Sequence, residues 1–209
     1  PSNVTRPPFL SNHAKGTQYD GGINVPFIVK SPQFISSLDE GRESLAHINT
    51  IDIFSTVAEI TDVSVINVPS VSILPYLANP DLSTQSVRPF IFTEHFEPNG
   101  FGPYDNHERA VSYDNWKLIW RNSNVEEFFN LSIDPYEANN ILLQQELSEE
   151  QSLIYNQLVC VLNNIEIGGA SDCIMSTDFI PTLTTQYLFI LLFILLAIVV
   201  NEHYHYIKK

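Results

Sequence analysis

The residues with the most chemical potential are a lysine in a glycine-rich run and two histidines around a later loop. The run reads Lys15-Gly-Thr-Gln-Tyr-Asp-Gly-Gly22 and continues as Ile-Asn-Val-Pro26. Taken alone, Lys15 is typical of a solvated loop, and the glycine pair is typical of a tight turn before a strand. His95 and His107 lie near the two ends of the loop 94–108. These positions are the candidates for contact with a ligand.

Two cysteines and two sequons bear on the environment of the chain. Cys160 and Cys173 are the only cysteines, and the twelve residues between them form a suitable loop for a disulfide. Two unpaired thiols are the alternative. Asn3-Val-Thr and Asn130-Leu-Ser are acceptor sequences for N-glycosylation. We expect a disulfide and two glycosylation sites, both of which indicate the secretory pathway.

Three further segments complete a recognisable order of motifs. They are Ala46-His-Ile-Asn-Thr-Ile-Asp-Ile-Phe-Ser-Thr56, Arg109-Ala-Val-Ser-Tyr-Asp-Asn-Trp-Lys-Leu-Ile119 and Phe129-Asn-Leu-Ser-Ile-Asp-Pro-Tyr-Glu-Ala-Asn-Asn140. With the Lys15 run, they resemble in type and order the motifs of the sulfatase family across residues 13–142. The arylsulfatases of the N-acetylgalactosamine-sulfatase type are the most similar subgroup.

The resemblance implies an α/β fold of the alkaline-phosphatase-like sulfatase type. Residues 1–87 would be the C-terminal part of its catalytic domain. Residues 88–165 would be a C-terminal subdomain, built from a four-stranded antiparallel sheet and one long helix. The pattern of the chain independently favours an antiparallel meander followed by a helix in that region.

The resemblance also implies hydrolysis of sulfate esters, in sulfated glycans or aryl sulfates. Family members use a formylglycine, made from the Cys of a C-x-P-S-R motif, beside a Ca²⁺ held by Asp and Asn. This chain contains neither that motif nor the metal motif that normally precedes the lysine run. We therefore expect the nucleophile and metal ligands upstream of Pro1, and a fragment that is inactive alone.

Family positions assign roles to three residues of this chain. Lys15 matches the lysine that contacts sulfate, and a compact ammonium suits a tetrahedral oxyanion. His95 and His107 are candidate substrate-binding residues, because the 94–108 loop would reach the rim of the active site in this architecture. Lys15 as an ordinary surface lysine is the alternative.

The charge balance restricts the partners of the chain. Its 209 residues carry 10 Lys+Arg against 24 Asp+Glu, which gives a formal net charge of −14. No basic surface is available to neutralise phosphates, so nucleic acid is excluded as a partner. Two other functions stay open: a non-catalytic membrane glycoprotein on a sulfatase scaffold, and a phosphodiesterase or phosphatase of the same superfamily.

The C-terminal end predicts a membrane anchor. Residues 187–201 are apolar and, extended back to about residue 180, are long enough to cross a bilayer as a helix. Residues 166–186 would be a stalk, and 202–209 a cytoplasmic tail carrying Lys208 and Lys209. A glycolipid-anchor signal is the alternative, with its small residues at Gly168–Ser171. The body would then be luminal or extracellular, in the secretory pathway, a lysosome or the cell surface.

The elements that position these residues follow from local patterns. Pro26–Lys30 is predicted to be a short buried strand. A helix is expected from Thr50 to Ile60, capped by Asn49, with Ile51, Phe54, Val57 and Ala58 on one apolar face. Strand-like runs cover Pro89–His95, Arg109–Tyr113 with Trp116–Arg121, and Glu126–Leu131.

The last predicted element is an amphipathic helix that a capping box begins. Ser148 and Gln151 form the box. The apolar stripe of the helix comprises Ile154, Leu158, Val161, Leu162 and Ile165. The acidic pairs Glu126-Glu127 and Glu149-Glu150 are interpreted as solvated.

Overall fold

Four antiparallel strands form the centre of the structure. They are β1 (Ile91–Glu97), β2 (Asn106–Tyr113), β3 (Trp116–Arg121) and β4 (Glu126–Asn130), hydrogen-bonded in the order β1-β2-β3-β4. Each strand joins the next through a short connection, so every neighbouring pair is antiparallel. The antiparallel meander expected from the sequence is confirmed.

One face of the sheet is covered by a long helix. Helix α4 (Glu149–Asn164) packs on β2 and β3 and buries Leu158, Val161 and Leu162. Phe128 of β4 contacts the ring of Tyr155 on this helix. Ser148 accepts a hydrogen bond from the Gln151 backbone and Gln151 returns one to the Ser148 backbone, so the predicted capping box is present.

The opposite face of the sheet covers the segment that carries Lys15. Ala110, Ile119 and Phe129 alternate with the α4-facing residues, and together they form a buried cluster with Tyr19. The lysine-bearing loop therefore lies directly on the C-terminal sheet.

Short helices complete the fold. They are α1 (Asp20–Ile23), α2 (Asp52–Ile60), α3 (Leu74–Ala78), a 3-10 turn (Ile141–Leu143) and α5 (Asp172–Met175). The glycine pair of the lysine run lies within α1, not in a turn before a strand.

Helix α2 corrects the sequence prediction in two respects. It begins at Asp52, and no side chain caps its first turn; Asn49 instead donates from Nδ2 to the Phe92 carbonyl. The predicted apolar face was wrong. Phe54 and Val57 are exposed, while Asp52 and Thr56 are buried with Ala58. A buried ion pair of Asp52, described below, turns the polar side of the helix inward.

The predicted buried strand at Pro26–Lys30 was also wrong. These residues form no strand, and Ile28 is 91% exposed. In the described structure, no neighbouring strand pairs with this segment, so its β-favouring sequence has no ladder to join.

The computed structural model describes residues 8–35, 41–82, 87–122, 125–143, 146–165, 170 and 172–175. Residues up to Cys173 form one compact unit, which contains the Cys160–Cys173 disulfide expected from the sequence. Asn3, most of the expected stalk, the 187–201 segment and the tail lie outside the described residues. Within the described residues, no helix has the length and apolar character needed to cross a membrane.

Candidate functional site

The Lys15 loop, residues 13–23, presents its lysine to solvent on a tightly folded backbone. Lys15 is exposed and has no ion-pair or hydrogen-bond partner among the described residues. Gly16 follows with φ +91°, a conformation that side-chain-bearing residues rarely adopt. Thr17 then donates from Oγ1 to the Ala14 carbonyl at 2.7 Å. These features turn the chain sharply at the lysine and leave the ammonium available to an anion.

Gly21 shows why the loop requires glycine at the start of α1. A Cβ at this position would lie 2.1 Å from the His13 carbonyl oxygen, which is less than any tolerable contact. The backbone of residue 21 therefore packs directly on the backbone that precedes Lys15, and the loop closes on itself.

Two side chains join the loop to the sheet. Thr93 of β1 donates from Oγ1 to Gln18 Oε1 at 2.6 Å. Tyr19 donates to Glu127 of β4, and Arg121 of β3 pairs with the same carboxylate at 3.0 Å. Burial, together with the hydrogen bond to Glu127, raises the pKa of Tyr19 to about 12, so the phenol stays a donor at physiological pH.

A buried ion cluster makes the third connection. Lys117 of β3 donates from Nζ to Asp20 Oδ1 at 2.7 Å. The same Nζ lies 2.7 Å from Glu137 Oε1, an ion-pair contact without hydrogen-bond alignment. Glu137 Oε2 accepts the Asp20 backbone N–H at 2.6 Å. Burial raises the pKa of Glu137, while the Lys117 ammonium opposes that rise.

The cluster brings together three of the four motifs that the sequence analysis identified. Asp20 lies within the lysine run, Lys117 in the Arg109–Ile119 segment, and Glu137 in the Phe129–Asn140 segment. The sequence motifs alone indicate no role for Lys117 or Glu137. A lysine among the apolar residues of β3 was the available signal, because an unpaired buried ammonium is too costly to keep.

Glu126 and Glu127 correct another interpretation. They are half-buried and paired rather than freely solvated: Glu127 pairs with Arg121 and Tyr19, and Glu126 accepts a hydrogen bond from Tyr155 of α4. Each carboxylate serves a different face of the sheet, which agrees with the alternation along β4.

His13 is a functional candidate that the sequence analysis did not single out. It lies two residues before Lys15, is 4% exposed and stacks on the Tyr19 ring with centroids 3.4 Å apart. Burial lowers its pKa, although the Tyr136 backbone and the Glu127 charge oppose that effect. The imidazole is therefore held neutral beside the lysine loop.

His47 lies elsewhere, in a groove of about 470 Å³ that Asn24, Phe27, Ile53 and Asp114 help to line. Burial lowers the pKa of His47, and the Asp114 charge opposes that effect. Its Nδ1 has no hydrogen-bond partner among the described residues. Asp20 of the lysine run also lines this groove, whereas Lys15 does not.

The two histidines proposed for substrate binding point to opposite faces of the sheet. His95 pairs in register with Glu108, whereas His107 pairs with Phe96. Because neighbouring residues of a strand alternate between faces, the two imidazoles cannot converge on one ligand. His107 Nε2 contacts Glu94 at 2.6 Å, and His95 lies 3.8 Å from Glu97.

The start of α2 holds a second buried ion pair. Asp52 is 1% exposed and receives both Nε and Nη2 of Arg88, with the Nε contact at 2.8 Å. Asp52 also accepts the Asn49 and Val71 backbone N–H groups. All its acceptor capacity is used within the fold, which makes it a structural residue.

The described residues do not fit a calcium site. No group of three or more His, Cys, Asp or Glu side chains within them is arranged to hold a metal ion. A carboxylate-rich site for Ca²⁺ would need six or more oxygen ligands. The acidic side chains near Lys15 are already paired with cations.

Asn130, the sequon residue within the described part of the chain, ends β4. Its Oδ1 accepts the Ser132 backbone N–H at 3.0 Å. This contact fixes the turn that follows the strand. Whether Asn130 is glycosylated stays a prediction.

Comparisons with known proteins give a consistent result. A family model described as "N-sulphoglucosamine sulphohydrolase, C-terminal" matches residues 12–164. An arylsulfatase of Clostridium perfringens (strain 13 / Type A) is 26% identical over 156 residues, which cover 74% of this chain and 31% of that protein. The chain thus spans about a third of the length of this curated relative.

Solved structures give matches of similar extent. One is a protein in complex with its substrate D-glucosamine-2-N,6-O-disulfate, with 19% identity and a TM-score of 0.44 over 61% of this chain and 24% of that one. A putative sulfatase from Bacteroides thetaiotaomicron VPI-5482 gives 17% identity and a TM-score of 0.43, and the match covers 55% of this chain and 24% of that one. A 2-O GAG sulfatase gives 20% identity and a TM-score of 0.43, and the match covers 61% of this chain and 26% of that one.

Proposed function

This chain belongs to the sulfatase family, within the group described as the C-terminal region of N-sulphoglucosamine sulphohydrolases, and from that premise we propose that it is the C-terminal part of a sulfuric ester hydrolase. The substrate class would be sulfated glycans or aryl sulfates. The observation that carries this proposal is the exposed lysine on a backbone loop that three contacts attach to the C-terminal sheet.

In this proposal Lys15 is the sulfate ligand. Its ammonium is exposed and unpaired within the described residues, and the turn at Gly16 fixes the backbone beside it. A positive charge held in advance stabilises the negative oxygens of the ester and of the departing sulfate. Residues 1–87 would complete the catalytic domain, with residues 88–165 as the subdomain that supports the lysine loop.

The rest of the catalytic machinery would come from sequence outside this chain. Formylglycine would supply the nucleophile and Ca²⁺ the metal charge, since the described residues offer no site for the ion. The 209-residue chain alone would then hydrolyse no sulfate ester. The disulfide supports an oxidising compartment, and we propose a luminal or extracellular body anchored at residues 187–201.

The experiment compares two lysine variants in the complete polypeptide that carries this sequence. Lys15→Met should lower kcat/KM for 4-nitrophenyl sulfate or a sulfated glucosamine by about 100-fold or more, the usual loss for one preorganised charge donor. Lys30→Met is the matched control, because Lys30 is another exposed lysine of the same segment.

Equal activity of the two variants would contradict the sulfate role of Lys15. A complete polypeptide that turns over neither ester would contradict the hydrolase proposal itself. That result would favour the non-catalytic membrane glycoprotein.

A further inference from the structure

The buried cluster of Lys117, Glu137 and Asp20 joins the lysine loop to the C-terminal sheet. We propose that Lys117 and Glu137 are positioning residues that lock the backbone of the Lys15 loop on this sheet and thereby fix the sulfate ligand. The consequence for sulfate rests on the proposed function of Lys15. The lock itself depends only on the geometry of the cluster.

The burial of Lys117 shows that the cluster depends on its ion pairs. The side chains of Lys117 and Glu137 are both 0% exposed, whereas that of Asp20 is 21% exposed. An ammonium without solvent requires partners of opposite charge. One of its two carboxylates belongs to the subdomain and the other to the loop, so the lysine is fully paired only when the loop is in place.

Glu137 acts on the backbone of the loop as well as on its charge. Oε2 accepts the Asp20 N–H at 2.6 Å, while Oε1 faces Lys117 at 2.7 Å. Glu137 itself has φ 55°, a left-handed conformation that is unfavourable for residues other than glycine. The turn keeps this conformation and directs the carboxylate inward to the first residue of α1.

The constraint at Asp20 reaches Lys15 through close contacts within the loop. Asp20 begins α1, and the next residue, Gly21, packs on the His13 carbonyl. Ala14, which directly precedes Lys15, accepts hydrogen bonds from the backbone and side chain of Thr17. Release of Asp20 would therefore loosen both sides of the lysine.

A fixed backbone matters because the lysine side chain is itself exposed and flexible. An ammonium on a mobile loop would lose conformational freedom when it binds an anion, and that loss weakens binding. Holding the backbone in advance leaves only the side chain to be ordered. The same reasoning explains why binding sites are supported by packed residues that do not touch the ligand.

The first experiment measures amide hydrogen exchange in the 209-residue chain by NMR. In Lys117→Met, and in the milder Asp20→Asn, the Asp20, Gly22 and Ile23 amides should exchange about 10-fold faster or more. The amide of Phe128 on β4, which donates to Asn140 Oδ1, should change much less. Asp20→Asn keeps the proposal testable if Lys117→Met does not fold, since Asp20 is only partly buried.

Asp52→Asn is the matched control. It disrupts a buried ion pair in the same compact unit, and the hydrogen-bond and ion-pair partners that the described residues offer the Asp52 carboxylate are Asn49, Val71 and Arg88, all outside the lysine loop. It should not accelerate the loop amides selectively. The proposal is overturned if Asp20→Asn leaves the loop amides unchanged, or if it accelerates the amides of loop and sheet equally, because a purely global effect needs no lock.

The second experiment tests coupling to Lys15 in the complete polypeptide, with inorganic sulfate as a competitive inhibitor. Asp20→Asn and Lys15→Met should each raise the inhibition constant by about 10-fold or more. The double variant should be no weaker than Lys15→Met alone, since Asp20 acts through that lysine. Additive losses would overturn the positioning role.

The two experiments separate the two proposals. If Lys15→Met leaves sulfate inhibition unchanged, the proposed function fails, yet the exchange of the loop amides still decides whether Lys117 and Glu137 lock the loop. If the loop amides do not respond, the lock fails, whatever Lys15 does.

Discussion

Two histidines, the buried His13 and the half-buried His47, link single residues to the pH dependence of the fold. Burial lowers the pKa of both His13 and His47 below the ordinary 6.5. Each Nδ1 is buried without a hydrogen-bond partner among the described residues, and burial disfavours the charged imidazolium more strongly than the neighbouring backbone and carboxylate groups favour it. In the unfolded chain the same histidines protonate near their ordinary pKa.

We therefore expect the free energy of unfolding to fall as the pH drops below 6.5. Below pH 6.5 the histidines bind protons in the unfolded chain but stay neutral in the folded one. The stability that they contribute above pH 6.5 is therefore lost as the pH falls to their pKa in the folded chain. Each histidine contributes a slope of at most about 1.4 kcal/mol per pH unit. Urea unfolding between pH 5 and 8 should show a shallower slope for His47→Gln than for the unmodified chain.

Each protein should be compared with its own stability at pH 8, where the histidine is neutral in both the folded and the unfolded chain. This reference removes the packing lost with the imidazole. Identical slopes for His47→Gln and the unmodified chain would contradict the role of His47. His13→Gln provides an independent second case, because His13 lies outside the groove that holds His47.

The sequence motifs predict Lys15 as the sulfate ligand, and this stays a prediction; the residues that hold its backbone were not predicted. Lys15 was accessible to motif reasoning because its family position is characteristic. Lys117 was not, because its pairing depends on Asp20, 97 positions away in the chain, and on the turn that carries Glu137. Sequence patterns report which residues alternate along a strand, whereas the identity of a buried partner depends on tertiary packing.

Among the elements, the N-terminal cap of helix α4 was predictable in detail. A serine followed three residues later by glutamine satisfies the free N–H groups of the first turn through purely local contacts. The sheet was predictable for a related reason, since turn residues separate its strands. Local chemistry determines both features.

This local origin makes the cap of α4 testable by one substitution. Ser148→Ala removes the acceptor of the Gln151 N–H at 3.1 Å. It should lower the free energy of unfolding by about 1 kcal/mol, the usual value for a lost N-cap. Ser152→Ala, one turn into the same helix, is the control and should change it by about 0.5 kcal/mol or less. Equal losses in urea unfolding would show that the cap is not the cause.

Helix α2 and residues 26–30 show where local reasoning fails. The α2 sequence has apolar residues at helical spacing, but the buried side is polar because Arg88 and Ser70 contact it. Pro26–Lys30 has the composition of a strand and yet stays unpaired and largely exposed. In both cases the outcome depends on which neighbour covers the element, and a hydrophobic pattern does not name that neighbour.

At the scale of the whole molecule, the chain is organised around contacts between distant motifs. The lysine run lies on a sheet that begins about 70 residues later. The contacts between them combine an apolar cluster around Tyr19 with polar contacts that are at least partly buried. An acidic chain with net charge −14 can hold an anion ligand only where its carboxylates are locally paired. Arg121 and Lys117 provide that pairing beneath the Lys15 loop.

The Cys160–Cys173 disulfide ties the C-terminal end of the compact unit to helix α4. It joins α4 to α5 across 13 positions of sequence and constrains the unfolded chain. Cys160→Ser together with Cys173→Ser should lower the free energy of unfolding by about 3 kcal/mol, the expected value for a loop of this length. Urea unfolding in the presence and absence of reductant measures the effect. Reductant should lower the stability of the unmodified chain to that of the double variant and leave the variant unchanged; a double variant as stable as the oxidised chain would show that the bond carries no part of the fold.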